Sequence, residues 1–327
     1  MKENNINNKI LLILKNSNDY ISGEELSQLM GISRTAIWKH INTLRSKGYN
    51  IDSVTRKGYK LTTSKNIINE IELSDGLQTQ TLGKPLIFMQ EIDSTNTEIK
   101  RLAQKGYPHG TTVVAESQNL GKGRLGRMWS SPPYTGLWFS FLLRPQIPPH
   151  QISGITLATG LGVCKAIRDF TGCNALIKWP NDIIIENKKL CGILTEMTAE
   201  ADRIEYAVVG IGVNVNTLEF SEEISHKATS LFIETQKQID RSELFKKILS
   251  EVEKYVEKYL SNTQANIVDE YKKMCATLGR EVTVTRSKHI LKGTAVSVNE
   301  QGELIIKKEN GKEIYVNSGE VTVQGIY

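Results

Sequence analysis

Cysteine is sparse in this chain of 327 residues: four, at Cys164, Cys173, Cys191 and Cys275, none in C-x-x-C spacing. That excludes a disulfide framework or a zinc knuckle and predicts reduced thiols filling a core, as in a cytoplasmic protein. Five scattered histidines lack metal-ligand spacing, which argues against a zinc site. No apolar run approaches the length of a membrane span. The run Ile10–Leu14 is too short for a secretory h-region and is followed by Lys15, Asn16 and Ser17. Neither G-x-x-x-x-G-K-[ST] nor a helix-opening dinucleotide fingerprint occurs, and no Ser/His/Asp or Cys/His set suggests a covalent nucleophile. What remains is a chain of ordinary globular composition, 39% hydrophobic and 24% charged, long enough for two or three domains.

Its charge is unevenly placed. Residues 1–65 carry eleven Lys/Arg against five Asp/Glu, whereas the rest has thirty against thirty-one. A basic module on a near-neutral body points to nucleic-acid binding. Ile6, Ile10, Leu11, Ile13 and Leu14 recur at helical spacing. Ser22 with Glu25 opens a second helix that Gly31 ends, and Ser33 caps a third from Arg34 to Lys47, closed by Gly48. Ala36, Ile37, Ile41 and Leu44 form the inner face of that third helix. Ser33, Arg34, Thr35, Trp38, Lys39, Asn42 and Arg45 are left to meet phosphates and base edges. Ile51–Val54 and Tyr59–Thr62 alternate around the basic tip Arg56-Lys57-Gly58. The order is that of a winged helix-turn-helix over residues 1–65, although a solvated basic face would carry the same charge. Residues 66–81 read as a connector, weakly helical over Ile67–Leu77.

From Leu82 to Met274 the pattern is α+β with a mixed sheet. Strands are expected at Leu86–Glu91, Thr111–Glu116, Leu137–Leu143, Ala175–Trp179, Ile183–Ile185, Leu190–Met197 and Tyr206–Val213. Tight turns fall at Trp179-Pro180-Asn181-Asp182 and Ala201-Asp202. Thr95 with Glu98 fits a capping box, and Gln151–Phe170 and Asp240–Tyr259 read as long helices. Five short alternating segments after residue 275 suggest a small SH3-like β-barrel over 275–327, with turns at Asn299–Gly302 and Glu309–Gly311.

One stretch does not suit a core: Gly121-Lys122-Gly123-Arg124-Leu125-Gly126-Arg127, then Met128-Trp129. Three buried cations would need partners. Glycine N–H groups can cradle an anion, and arginine forks fit phosphate or carboxylate. A solvated basic turn is the plain alternative.

The ordered set Asp93-Ser94-Thr95-Asn96, Gln118 with Gly121–Arg127, Lys178-Trp179-Pro180-Asn181-Asp182, Lys189–Glu196 and Gly210-Ile211-Gly212-Val213-Asn214-Val215-Asn216 resembles the biotin protein ligases. With the winged helix it is similar to the bifunctional bacterial form, at once ligase and repressor. One departure is Lys122, where the family loop has arginine; the cation is kept and the fork is lost. The resemblance implies activation of biotin by ATP to biotinyl-5′-AMP, then transfer to a lysine of biotin carboxyl carrier domains. It implies Mg²⁺ with the nucleotide, no tightly bound prosthetic group, operator DNA as a partner, and a homodimer once the adenylate is bound. On it, Ser94, Thr95, Asn96, Gln118, Gly121, Gly123, Arg124, Lys189, Gly192, Gly210 and Gly212 meet biotin. Arg124, Arg127, Trp129, Lys178, Asn181 and Asn214 meet ATP, with Ala228-Thr229-Ser230 nearby. Lys189, Arg124, Arg127 and Asp182 would serve catalysis, Asp182 also as a metal ligand. A ligand-sensing repressor without activity and a lipoate ligase are the competing expectations.

Overall fold

The structure, a computed structural model, describes residues 2–62, 66–200, 202–261, 265–286, 289–317 and 319–327. Met1–Glu72 and Leu73–Tyr327 form two compact units. In the first, helices α1 (Lys2–Lys15), α2 (Gly23–Met30) and α3 (Arg34–Ser46) precede an antiparallel hairpin, β1 (Ile51–Val54) with β2 (Gly58–Leu61). Helix α4 (Glu70–Ser74) is all that forms of the helix expected over Ile67–Leu77. The caps are as the sequence predicts. Ser22 Oγ accepts from Glu25 N at 3.0 Å and Ser33 Oγ from Ala36 N at 3.2 Å. Gly31 takes the left-handed conformation that stops α2. Ile10, Leu11, Leu14, Leu26, Ile37, Ile41 and Leu44 close one core. Ala36, expected inside, is only half-buried. Gly58 is required at the wing: its φ is +110°, and a Cβ there would lie 2.0 Å from the carbonyl oxygen of Ile21.

The second unit holds β3 (Leu86–Ile92), α5 (Thr95–Gln104), β4 (Thr112–Gln118), β5 (Gly136–Leu143) and α6 (Ile152–Thr171). Next come β6 (Leu176–Lys178), β7 (Asp182–Ile185), β8 (Lys188–Glu200) and β9 (Arg203–Asn214). Helices α7 (Glu222–Ser225), α8 (Leu231–Thr235), α9 (Arg241–Leu260) and α10 (Ala265–Met274) follow. The sheet order is β3-β4-β5-β9-β8-β7-β6, parallel only between β3 and β4. The sheet is therefore mixed, as expected. The turn expected at Ala201-Asp202 falls, at Ala201, outside the described residues, as does the domain edge at residue 65.

Alternation along the strands decides which face does what. Phe139, Phe141, Ile211, Val209, Cys191 and Ile183 share one face; Phe139 packs edge-on against Phe245 of α9 at 5.1 Å. Helices α6 and α9 cover it, and they pack against each other so closely that a Cβ on Gly162 of α6 would lie 2.7 Å from Val252 Cα of α9. The other face is covered only in part, by α5 through Ile99, Leu102 and Ala103 against Val113, Leu142 and Val208. Burying a side chain of this size contributes roughly 1.5–3 kcal/mol. The uncovered stretch of that face, beyond the N-terminus of α5, is where polar residues gather. Glu253 of α9 ties the entering chain down, accepting from the backbone N–H of Gln80, Thr81 and Leu82 at 2.7, 2.7 and 2.8 Å.

The remaining strands, β10 (Glu281–Arg286), β11 (His289–Val298), β12 (Leu304–Lys307), β13 (Glu313–Val316) and β14 (Glu320–Val323), form an antiparallel sheet ordered β13-β12-β11-β10-β14. It is fastened to the turn between β6 and β7. Trp179 N donates to Thr277 Oγ1 and Trp179 Nε1 to the Gly302 carbonyl, both at 2.9 Å.

Candidate active site

Strand register assembles the site. Trp138 of β5 lies opposite Gly212 of β9, Gly212 opposite Gly192 of β8, Gly192 opposite Asp182 of β7, and Asp182 opposite Lys178 of β6. Directly opposed residues share a face. One row across five strands therefore runs from a bulky indole, over two bare backbones, to a carboxylate and an ammonium. The glycines leave room that Trp129 enters from the glycine loop. A Cβ on Gly212 would lie 2.5 Å from Trp129 Nε1, and one on Gly192 3.0 Å from Trp129 Cζ3. Trp129 meets Trp138 edge-on at 6.5 Å, and its buried Nε1 has no hydrogen-bond partner among the described residues.

At the charged end, Lys189 Nζ lies 2.7 Å from Asp182 Oδ1, off the hydrogen-bonding line, and 5.2 Å from the Trp129 ring centroid. Lys178 is buried, and desolvation pushes its ammonium pKa down to about 8 despite the attraction of Asp182. The backbone of Lys189 is held by the segment expected near nucleotide: its N–H donates to the Lys227 carbonyl at 2.8 Å and its carbonyl accepts from Thr229 N at 2.9 Å.

At the other end, Ser94, Thr95 and Asn96 are all buried where α5 begins. The capping box expected of Thr95 and Glu98 does not form. Ser94 is the N-cap residue, and Thr95 is the first helical one. The Thr95 hydroxyl is thereby released toward the sheet. Its Oγ1 lies 3.1 Å from Gln118 Oε1, which also accepts from Thr95 N at 2.8 Å. Gln118 Nε2 donates to Ser131 Oγ at 2.8 Å. Ser140 Oγ lies 2.7 Å from Thr95 Oγ1 and 2.6 Å from Asn96 Oδ1. The amide oxygen can only accept, so the Ser140 proton goes to Asn96, and the single Thr95 proton is left to divide between Ser140 Oγ and Gln118 Oε1. Asn96 Nδ2 donates to Glu196 Oε2 at 2.8 Å, and Lys100 Nζ to Glu196 Oε1 at 2.6 Å. Burial raises the Glu196 pKa, but the bonds from Lys100 and Asn96 outweigh it and hold the carboxyl below its usual range. The result is a connected chain of donors and acceptors, suited to a small planar ligand rich in amide-like groups.

The glycine loop is less uniform than its sequence. Leu125 and Gly126 both have positive φ, 58° and 76°. Arg124 donates to Asn181 Oδ1 at 2.8 Å and to the Gly319 carbonyl at 2.7 Å, and burial lowers its pKa. Arg127 pairs with Glu320 at the surface, and Lys122 is exposed. Gly121 is packed tightly, since a Cβ would lie 2.3 Å from the Trp129 carbonyl oxygen; Gly123 is looser, at 3.3 Å from that of Arg127. Asn214 donates to the Thr229 carbonyl at 3.1 Å. The structure thus brings Trp129, Lys178, Asn181, Asp182, Lys189, Gly192 and Gly212 together, and Thr95, Asn96, Gln118 and Gly210 into the adjoining network. Arg127, still on the glycine loop, is paired with Glu320 of β14 and acts on Arg124 and Tyr327 only through its charge.

Sequence reasoning gave no site role to Ser140, Ser131, Glu196 or Lys100. Glu196 did close the motif Lys189–Glu196, and Ser140 left a signal as one hydroxyl inside the apolar run Leu137–Leu143. Glu116 was also missed. Its carboxylate accepts from Arg241 Nη1 at 2.6 Å, both groups buried, and from Tyr134 N at 2.7 Å, which fixes the chain leaving the glycine loop.

In the first unit, Arg34, Thr35, Trp38, Lys39, Arg56 and Lys57 are exposed on α3 and the wing, and Trp38 is 54% exposed. Arg45 is engaged elsewhere. Its guanidinium donates to the Ile51 carbonyl, Nε at 2.9 Å, and to Ser53 Oγ at 2.6 Å, clamping β1 to α3.

A winged helix-turn-helix joined to a mixed-sheet domain whose glycine row, covered by Trp129, ends in Asp182, Lys178 and Lys189 defines a DNA-binding protein that carries a ligand-activating site. Residues 88–214 match the biotin/lipoate A/B protein ligase family, residues 7–60 an HTH domain and residues 277–323 the biotin protein ligase C terminal domain. The chain is 37% identical over 309 residues to the bifunctional ligase/repressor BirA of Bacillus subtilis (strain 168), covering 94% of this chain and 95% of that one. It is 28% identical over 327 residues to that of Escherichia coli (strain K12), covering 98% and 100%. A solved biotin protein ligase from Aquifex aeolicus, in complex with biotin and ATP, superposes with a TM-score of 0.64 at 34% identity, over 74% of this chain and 99% of that one. The chain belongs to the biotin protein ligase family, in its bifunctional ligase/repressor form.

Proposed function

We propose that this chain activates biotin with ATP and transfers it to a lysine of biotin carboxyl carrier domains, and that its first unit represses transcription at operator DNA when the adenylate is bound. The observation that carries the ligase reading is the cross-strand row Gly212, Gly192, Asp182, Lys178, with Lys189 beside it. The first reaction joins two anions: a carboxylate oxygen attacks the α-phosphorus of ATP and pyrophosphate leaves. A site for it must supply positive charge where the new bond forms. Lys189 lies beside Gly192 and Asp182, where it would neutralise both the carboxylate and the α-phosphate. Lys178 and Arg124 would hold the other phosphates, the latter after exchanging its present partners. In the second reaction the acceptor amine nitrogen attacks the acyl carbon, the bond to AMP breaks, and AMP leaves. No enzyme nucleophile is needed.

The network from Gln118 through Thr95, Ser140 and Asn96 to Glu196 fits the ureido ring, whose N–H groups and carbonyl need acceptors and donors. Trp129 would shift from the glycine floor to stack on adenine as ligand enters. Its unsatisfied Nε1 supports a displaceable resting place. No group of three His, Cys, Asp or Glu fit to hold a metal occurs among the described residues. Asp182 is a single carboxylate, which suits Mg²⁺ carried chiefly by phosphates and water. No helix among the described residues is long and apolar enough to cross a membrane.

The test is transfer of labelled biotin to a carrier domain. Lys189→Ala should lose on the order of a hundredfold or more in rate. A near-normal rate would remove Lys189 from the chemistry. Equal use of lipoate would remove biotin as the dedicated substrate.

A further inference from the structure

Tyr327 lies in the phosphate end of the groove. Its hydroxyl donates to Asp182 Oδ2 at 2.5 Å, and Lys178 Nζ stands 3.4 Å from its ring centroid. The segment that brings it there is pinned on both sides: Ile326 is buried, and Tyr327 N donates to the Asn187 carbonyl, in the turn between β7 and β8, at 3.3 Å. Gly325, at φ +76°, turns the chain just before. Tyr327 as a whole residue is 37% exposed, although burial of its hydroxyl raises the phenol pKa, so the side chain lies at the protein surface rather than in the core.

Lys178 has no other aromatic or hydrogen-bonding partner among the described residues. A buried ammonium over a π surface, with Asp182 and Glu320 near but not hydrogen-bonded to it and Lys189 repelling it, is under-satisfied, and a phosphate oxygen is the stronger partner. Desolvation lowers the Lys178 pKa more than the attraction of Asp182 and Glu320 raises it. The second oxygen of Asp182 is likewise occupied by a neutral hydroxyl.

We propose that Tyr327 is a displaceable gate on the nucleotide site: its ring holds the place of the polyphosphate over Lys178 and its hydroxyl restrains Asp182, so nucleotide must expel it to bind. The proposal rests on the reading of Lys178 and Asp182 as nucleotide groups. It makes Tyr327 a residue that sets nucleotide affinity by competition, without contributing to the bond-forming step.

The experiment is calorimetric titration of the full chain with a non-hydrolysable ATP analogue, alongside the rate at which an amine-acylating reagent modifies Lys178. Tyr327→Ala should bind the analogue about three- to tenfold tighter, as expected on removing a competing cation–π contact and hydrogen bond. Lys178 should react faster in that variant and be protected by the analogue. Tyr327→Phe keeps the ring packed and should fall between wild type and Tyr327→Ala. Equal or weaker binding in both variants would overturn the gate. Lys178→Ala separates the two levels: unchanged affinity there would sink the nucleotide assignment itself, and the gate with it.

Discussion

Gly210 and Asn96 meet where any side chain would collide: a Cβ on Gly210 would lie 2.0 Å from Asn96 Oδ1. Gly210→Ala must push Asn96 off both Ser140 and Glu196. Overpacking of this kind costs about 1–3 kcal/mol, so biotin affinity should fall about ten- to hundredfold by calorimetry. An unaltered Kd would show that the network is not where biotin binds. Lys178 offers a pH test. Below about 8 it is charged and attracts phosphate; above, it is neutral in the free site, and binding must draw a proton from solvent. ATP-analogue affinity should therefore decline as pH rises beyond 8, by up to about tenfold per unit. Lys178→Arg, which stays charged, should flatten the decline. A wild-type profile flat from about pH 7 to about 9.5 would contradict it.

Among the elements, α3 and the wing show what local pattern can and cannot supply. The caps at Ser22 and Ser33 were legible because a capping bond joins residues three apart, and Ser33→Ala should cost about 1 kcal/mol of unfolding stability. Arg45 was not legible in the same way. The sequence offers it as one more cation on the outer face, whereas the structure lays β1 against it. Lys39→Ala or Lys57→Ala should lower the salt slope of operator binding by about 0.9. Arg45→Ala should instead loosen the hairpin, seen as lost amide protection over Ile51–Val54. A slope change in Arg45→Ala with protection intact would return it to the phosphate-contacting set. The short helices α7, α8 and α10 escaped notice because one to three turns carry too little periodicity to stand out.

For the whole molecule, the proposed adenylate-bound dimer would tie the two activities by linkage. An adenylate that favours the dimer must be bound more tightly by it, by the same factor. Operator binding should therefore strengthen when biotin and ATP are supplied together; a gel shift indifferent to both would remove the repressor switch. The broad plan was open to reading in the chain: a basic helical module, a mixed-sheet body and a strand-rich end, because charge clustering and hydrophobic period are local properties. So were the glycines and cations of the groove, through motif order. Their partnerships were not. Register alone puts Gly212, Gly192, Asp182 and Lys178 in one row, and chain folding alone brings Glu116 to Arg241 and Tyr327 to Asp182, residues 125 and 145 positions apart. Contacts over such distances depend on how sheets and helices pack, and nothing in the neighbourhood of either residue encodes the other.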